Sequence, residues 1–287
     1  KHDKMENKGG LNLLPKDERD INLGEIVTLP KLEELPADFS LGDTIIRNQE
    51  KDGNSDFCTA YGTCGMAYLQ DNNIEGSQEW VFAASKELSG DPEGFGQNMR
   101  DAFKAWVKYG SPLRNEVKVP ENPKDRRYFK NYDPNLTGDV LKKQTYVTCK
   151  GPYDALDNIR ASIWKYRNEK RAAGIGVVFS WPLSDIFLRG INDNGFGHFM
   201  FVTGWTTIDG EILLEVVNSY GKEAGQNGKH YLSRETIEYF VSKYGAYLLV
   251  DIPLEEARRL SEKPAEKKSI WTRFIEAIKH WLNEIFK

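Results

Sequence analysis

The chain has 287 residues, of which 39% are hydrophobic and 12% aromatic, and it carries a formal net charge of −4. That length and composition support one large packed domain with or without appendages and exclude general disorder. The slightly acidic balance argues against broad electrostatic binding, so no nucleic-acid partner is expected. No apolar run is long enough to span a bilayer, and the polar start is unlike a signal peptide. The chain begins with Lys1 rather than Met, and its compartment is left open. Three cysteines, Cys58, Cys64 and Cys149, are too few for a disulfide scaffold and favour a reduced setting. A single Cys64–Cys149 bridge stays open.

Residues 1–20 are polar and charged and read as mobile or surface-bound. Residues 21–43, with Pro30 and Pro36 among spaced leucines, read as an extended strap over a core. A helix is expected from about Cys58; Gly62 and Gly65 weaken it intrinsically and imply close packing against a neighbour. Further helices fit Glu79–Leu88 and Asn98–Tyr109, the latter with an apolar stripe and a stop at Gly110 and Pro112. Residues 111–150 read as a long excursion, and a helix follows from Asp154 to about Ala172. The periodicity then changes. Strands fit 175–180, 198–205, 211–218 and 246–252, with Ile208, Asp209 and Gly210 forming a hairpin turn. Helices first and antiparallel strands second make an α+β domain with two lobes.

Residues 254–269 read as a charged linker or a solvated helix end. Residues 270–287 form an amphipathic helix with Trp271, Phe274, Ile278, Trp281 and Ile285 on one face. Three roles fit it: docking on its own domain, binding a partner or a second copy, or lying on a membrane surface.

The chemistry concentrates in three windows: RNQEKDGNSDFCTAYGTC at 47–64, GFGHFMFVTGW at 195–205 and VVNSYG at 216–221. Cys58 at a helix N-terminus is placed for a lowered thiol pKa, and His198 can supply an imidazolium. Asn218 ends the strand across a hairpin from His198, where its amide oxygen can fix an imidazole tautomer. Gln49 brings an amide donor near the thiol. Alone, each has an ordinary reading: a buried small residue, a strand-end histidine, a turn asparagine. No metal is expected, because no CxxC pair occurs and the histidines do not cluster with cysteine at zinc spacing. No phosphate loop or dinucleotide fingerprint appears, so no cofactor is expected. Cys64 reads as core, Cys149 has no assigned role, and His230 reads as a surface strand residue.

In this order, Gln49, CTAY from Cys58, Gly197-His198 and NSYG from Asn218 resemble the papain-like cysteine peptidases, most closely the shorter bacterial and phage-type members. LPADFSLGD, GQNMRDAFKAWVKYG and GQNGKHYL resemble the flanking segments. The resemblance covers about residues 30 to 252. It implies an N-terminal extension over 1–35 and a two-lobed peptidase domain over 36–253, with a helical left lobe carrying the nucleophile and an antiparallel sheet or barrel as the right lobe. It also implies Cys58 as nucleophile, His198 as general base and acid, Asn218 as its orienting partner and Gln49 as oxyanion donor. Gly96 and Gly197 would line the groove for a peptide or protein substrate.

Three departures stand in the same windows. Eight residues separate Gln49 from Cys58, more than the family usually has. Asp56-Phe57 replaces the family's Gly-Ser and puts a negative charge near the thiol. Tyr220 stands where a Trp usually shields the histidine. These departures keep two other functions open: a peptide-binding module with impaired catalysis, and an acyl transferase of transpeptidase or transglutaminase type.

Overall fold

The computed structural model describes residues 10–13, 17–179, 185–190 and 195–262. The amphipathic segment 270–287 and residues 1–9 lie outside the described residues.

The strap contains a single helical turn, α1 (Leu23–Ile26), and a two-residue strand, β1 (Phe39–Ser40). Three helices build the first lobe: α2 (Cys58–Gln70), α3 (Gln78–Ser89) and α4 (Met99–Tyr109). Their limits follow from local chemistry. Ser77 and Asn98 accept backbone N–H groups at the starts of α3 and α4, and Gly90 and Gly110 close them with positive φ. The excursion at 111–150 is not structureless: it ends in strand β2 (Thr145–Thr148).

Helix α5 (Ala155–Lys165) starts on the Asp154 cap but stops well before the expected Ala172. A 3₁₀ turn over Arg167–Glu169 and the left-handed Lys170 (φ 50°) break it, so that strand β3 (Ala173–Phe179) can begin. Strands β4 (Phe187–Leu188), β5 (Phe196–Ile208), β6 (Glu211–Val217), β7 (Lys229–Leu232) and β8 (Ala246–Val250) follow. Helix α6 (Arg234–Tyr244), which sequence periodicity did not single out, lies between β7 and β8, and α7 (Leu254–Glu262) forms in the charged segment.

The sheet runs β2-β8-β3-β5-β6-β7-β4, with β1 added to β5. All pairs are antiparallel except the short β4–β7 pair. The β5–β6 hairpin turns through Asp209 and Gly210, both at positive φ, as expected of a two-residue hairpin turn.

The lobes meet where α2 lies on β5. A methyl group added at Gly62 would lie 1.8 Å from Cδ1 of Phe199, and one at Gly65 would lie 2.6 Å from Cε1 of Phe201. The two glycines are therefore the floor on which two phenylalanines of β5 rest, which is the close packing their weak helix propensity implied. Phe103 of α4 meets Phe199 edge-on at 6.0 Å and extends the same core. Cys64 and Cys149 are buried in this core, and all three cysteines are free. Among the described residues, no helix is long and apolar enough to cross a membrane.

Gly62→Ala is expected to lower stability by about 1–3 kcal/mol through overpacking, seen as a lower urea midpoint at unchanged slope. An unchanged midpoint would mean that Phe199 does not rest on this glycine.

Candidate active site

Cys58 is the first residue of α2 and is fully buried. Backbone N–H groups of Phe199, Gly10 and Thr59 act on its sulfur. Phe199 follows His198 in β5, so the thiol sits against the strand at the level of the histidine. Burial dominates the thiol: it pushes the pKa up to about 12, and the charge of Asp56 adds to that, while the three N–H groups pull the other way.

Asp56 itself is answered. Its Oδ2 accepts from Arg127 Nη2 at 2.5 Å and from the backbone N–H of Gly96 at 3.0 Å. The charge that replaces the family's small residue is thus spent on holding the Gly96 turn and Arg127 in place.

The extra residues between Gln49 and Cys58 are pinned as well. Asn54 Nδ2 donates to Tyr61 Oη at 3.0 Å and to Glu79 Oε1 at 2.9 Å, while its Oδ1 accepts from Arg126 Nη1 at 2.8 Å. Tyr61 Oη in turn donates to Asp52 Oδ2 at 2.7 Å. Gln49 is fully buried between this loop and the segment after β6. Its Nε2 donates to the Ser55 carbonyl at 2.6 Å, and its Oε1 accepts from Ser219 Oγ at 2.6 Å. An amide nitrogen has two hydrogens, so one donor of Gln49 remains beyond the Ser55 bond. Main-chain bonds from Gln49 to Ser219 at 2.8 Å and from Gly221 to Arg47 at 2.8 Å join the first and third windows directly.

His198 pairs with Val177 on β3 and is fully buried. Tyr220 stacks on its ring at 4.6 Å, and Phe179 meets it edge-on at 5.2 Å. Tyr220 thus takes the shielding place expected of a Trp. Burial first, and the nearby His230 second, push the His198 pKa down to about 3. Neither ring nitrogen has a hydrogen-bond partner among the described residues.

Asn218, expected to orient His198, makes its side-chain bonds elsewhere. Its Nδ2 lies 2.6 Å from His230 Nε2, and its Oδ1 accepts the Tyr220 N–H at 2.7 Å. His230 is not a surface residue, contrary to the sequence reading. It is fully buried opposite Val216, and its Nδ1 lies 2.7 Å from the Asp185 carbonyl oxygen. Alternation along KHYL did not reveal this, because both faces of β7 are at least partly covered. Sequence reasoning also missed Ser219 and Arg127. Ser219 stands in the NSYG window, but nothing local marks its hydroxyl as the partner of Gln49.

Gly96 and Gly197 face each other across a channel filled by residues 10–12, an N-terminal strap that precedes the 21–43 segment and is not merely surface-bound, since Leu11 is buried. Gly10 O accepts from Gln97 N at 2.7 Å, Asn12 N donates to Gln97 O at 3.0 Å, and Leu11 N donates to Gly197 O at 3.0 Å. The approach is close enough to require glycine on all sides. A methyl group at Gly96 would lie 2.2 Å from Gly10 O, one at Gly197 would lie 2.3 Å from Leu11 O, and one at Gly10 would lie 2.0 Å from Asp56 O. The strap therefore takes the main-chain hydrogen bonds of both walls and covers the thiol.

No protein-family model matches the chain, and no curated protein matches it by sequence. Solved structures do match its fold. Xylellain, a cysteine protease from Xylella fastidiosa, aligns with a TM-score of 0.63 at 17% identity, over 86% of this chain and 97% of its own. Digestive procathepsin L 3 of the Tenebrio molitor larval midgut aligns at 0.61 and 14% identity, over 85% of this chain and 76% of its own. The ragweed pollen cysteine protease Amb a 11, in its proform, aligns at 0.57 and 15% identity, over 79% and 68%. The chain therefore has the two-lobed α+β fold of the papain-like cysteine proteases.

Proposed function

We propose that this chain is a cysteine peptidase that cleaves peptide bonds through a thioester on Cys58, and that residues 10–12 hold it inactive. The observation that carries the reading is the thiol of Cys58 at a helix N-terminus, against the backbone of the strand that carries a buried histidine with no hydrogen-bond partner among the described residues. A buried imidazole left unpaired in a packed core points to a catalytic use.

The steps follow from the positions. With the strap displaced, water and substrate enter the channel between Gly96 and Gly197, and the burial that keeps both groups neutral is relieved. His198 takes the thiol proton, and the thiolate attacks the scissile carbonyl carbon. Gln49 Nε2 and the Cys58 backbone N–H stabilise the oxyanion. The C–N bond breaks as His198 returns the proton to the leaving amine. Water, deprotonated by His198, then cleaves the thioester and restores the thiol.

A second reading, a peptide-binding scaffold without turnover, has one observation in its favour: the Asn218 side chain bonds to His230 and to the Tyr220 N–H rather than to His198.

Two expectations separate these readings. Gly10→Val cannot keep the strap seated, because its side chain would collide with the Asp56 carbonyl. Freed of burial, the thiol returns towards the ~8.5 of a free cysteine or below, so iodoacetamide labelling of Cys58 at pH 8 should rise at least about tenfold. Labelling no faster than in the unaltered chain would sink the inhibitory role of the strap.

In the same Gly10→Val background, cleavage of a fluorogenic peptide library should appear and vanish with Cys58→Ala. Gln49→Ala should cost roughly 100- to 1000-fold in kcat, the usual loss for one oxyanion donor. A labelled but inert Cys58 would favour the binding scaffold instead.

A further inference from the structure

His230 belongs to no window that the proposed chemistry uses, yet it is the side chain seated against the amide of Asn218. We infer that His230 is a positioning residue: it fixes which way the Asn218 amide faces, and so gives the catalytic histidine an oxygen rather than an NH2 group. The inference rests on the peptidase reading for its kinetic arm and on the hydrogen-bond chemistry of the two side chains for the rest.

The chemistry closes without a free choice. The Asp185 carbonyl can only accept, so the ring nitrogen 2.7 Å from it, Nδ1, carries the hydrogen. Burial holds the ring neutral, lowering its pKa, with Asp185 working in the other direction. Nε2 is then a bare lone pair, and the group 2.6 Å away must be a donor, the Nδ2–H of Asn218. The opposite edge of the amide is thereby Oδ1, which accepts the Tyr220 N–H at 2.7 Å. Tyr220 is the residue whose ring stacks on His198.

Reversing the amide would set two donors against each other at Tyr220 and two acceptors at His230, losing both bonds in a buried place. A carbonyl oxygen has two lone pairs, and Tyr220 uses one. On the peptidase reading, the other is the acceptor that would serve an imidazolium at His198 once it holds the thiol proton, a bond not made while both groups are neutral and buried. Without His230 only the Tyr220 N–H would hold the oxygen edge, reversal would no longer cost a bond at Nε2, and the NH2 edge, when presented, would oppose that imidazolium.

Two substitutions separate positioning from mere filling of space. Gln can place an acceptor where Nε2 of histidine lies, and Asn can place a donor where Nδ1 lies. His230→Gln should therefore keep the bond to Asn218, while His230→Asn keeps only the tie to Asp185. In the Gly10→Val chain, with peptide substrate, His230→Gln should hold kcat within about threefold. His230→Asn should lower kcat about 10- to 100-fold, the scale of a misdirected catalytic group, with KM nearly unchanged. Equal activity of the two variants, or a change confined to KM, would overturn the inference.

A measurement without turnover stands beside this. In ¹⁵N spectra of the unaltered chain at pH 7, His230 should show a protonated Nδ1 and an unprotonated Nε2, and His230→Gln should leave the Asn218 side-chain amide signals near their places. An Nε2-protonated ring, or amide signals that move no less with Gln than with Asn, would overturn it. If no peptide is cleaved at all, the peptidase reading falls while the spectra still decide the role of His230.

Discussion

The seam between α2 and β5 is the contact on which the site depends. Gly62 and Gly65 remove two side chains from the helix, and Phe199 and Phe201 fill the space. Because Cys58 starts that helix and the backbone N–H of Phe199 acts on its sulfur, the same seam sets how closely the thiol lies against the strand that carries His198. A helix of ordinary side chains would stand farther from the strand, and the N–H of Phe199 would no longer reach the sulfur. The low intrinsic helix propensity of two glycines is thus offset by tertiary packing and by the register it enforces.

Burial then decides the state of the site. With residues 10–12 in place, desolvation outweighs the backbone hydrogen bonds to the thiol and, with the nearby His230, acts on an imidazole that has none among the described residues, so Cys58 is held as a protonated thiol and His198 as a neutral base. The ion pair that would make the thiol nucleophilic needs water or substrate dipoles that the strap excludes. Its grip is mostly main chain: bonds to Gln97 and Gly197, plus Asn12 Nδ2 to the Phe95 carbonyl at 3.0 Å. Such bonds are individually modest, near 1 kcal/mol net each, and any extended peptide can replace them. On the proposed inhibitory reading, the hold would depend on residues 10–12 being tethered to the chain, which raises their effective concentration in the channel.

Local signals made the scaffold legible. The Asn98 cap, the Gly110 stop, the Asp154 cap and the Asp209-Gly210 turn each fix a boundary within a few residues, and the sequence reading placed them. Cys58 at a helix start and His198 on a strand were read for the same reason. What escaped was decided across the fold. Arg127 answers Asp56 from 71 residues away, and no window shows both. Helix α6 did carry a signal, Ser233 before it and Gly245 after it, but its short apolar stripe was hidden between two strands. His230 read as a surface residue because a lone histidine in an alternating strand usually is one; its burial follows from what β4, β6 and Asn218 place over it.

The two histidines show why burial alone does not mark a catalytic group. Both are fully buried in adjoining parts of the sheet, and burial lowers the pKa of both. His230 has a partner for each ring nitrogen, so its burial leaves nothing unsatisfied and its tautomer is fixed. His198 has none among the described residues, and a buried polar group without a partner costs about 1–3 kcal/mol. Aromatic contacts with Tyr220 and Phe179 offset part of that cost without occupying the nitrogens. A fold that satisfies one imidazole completely and leaves its neighbour open fits the proposed division of tasks, in which one ring holds a geometry and the other would move a proton.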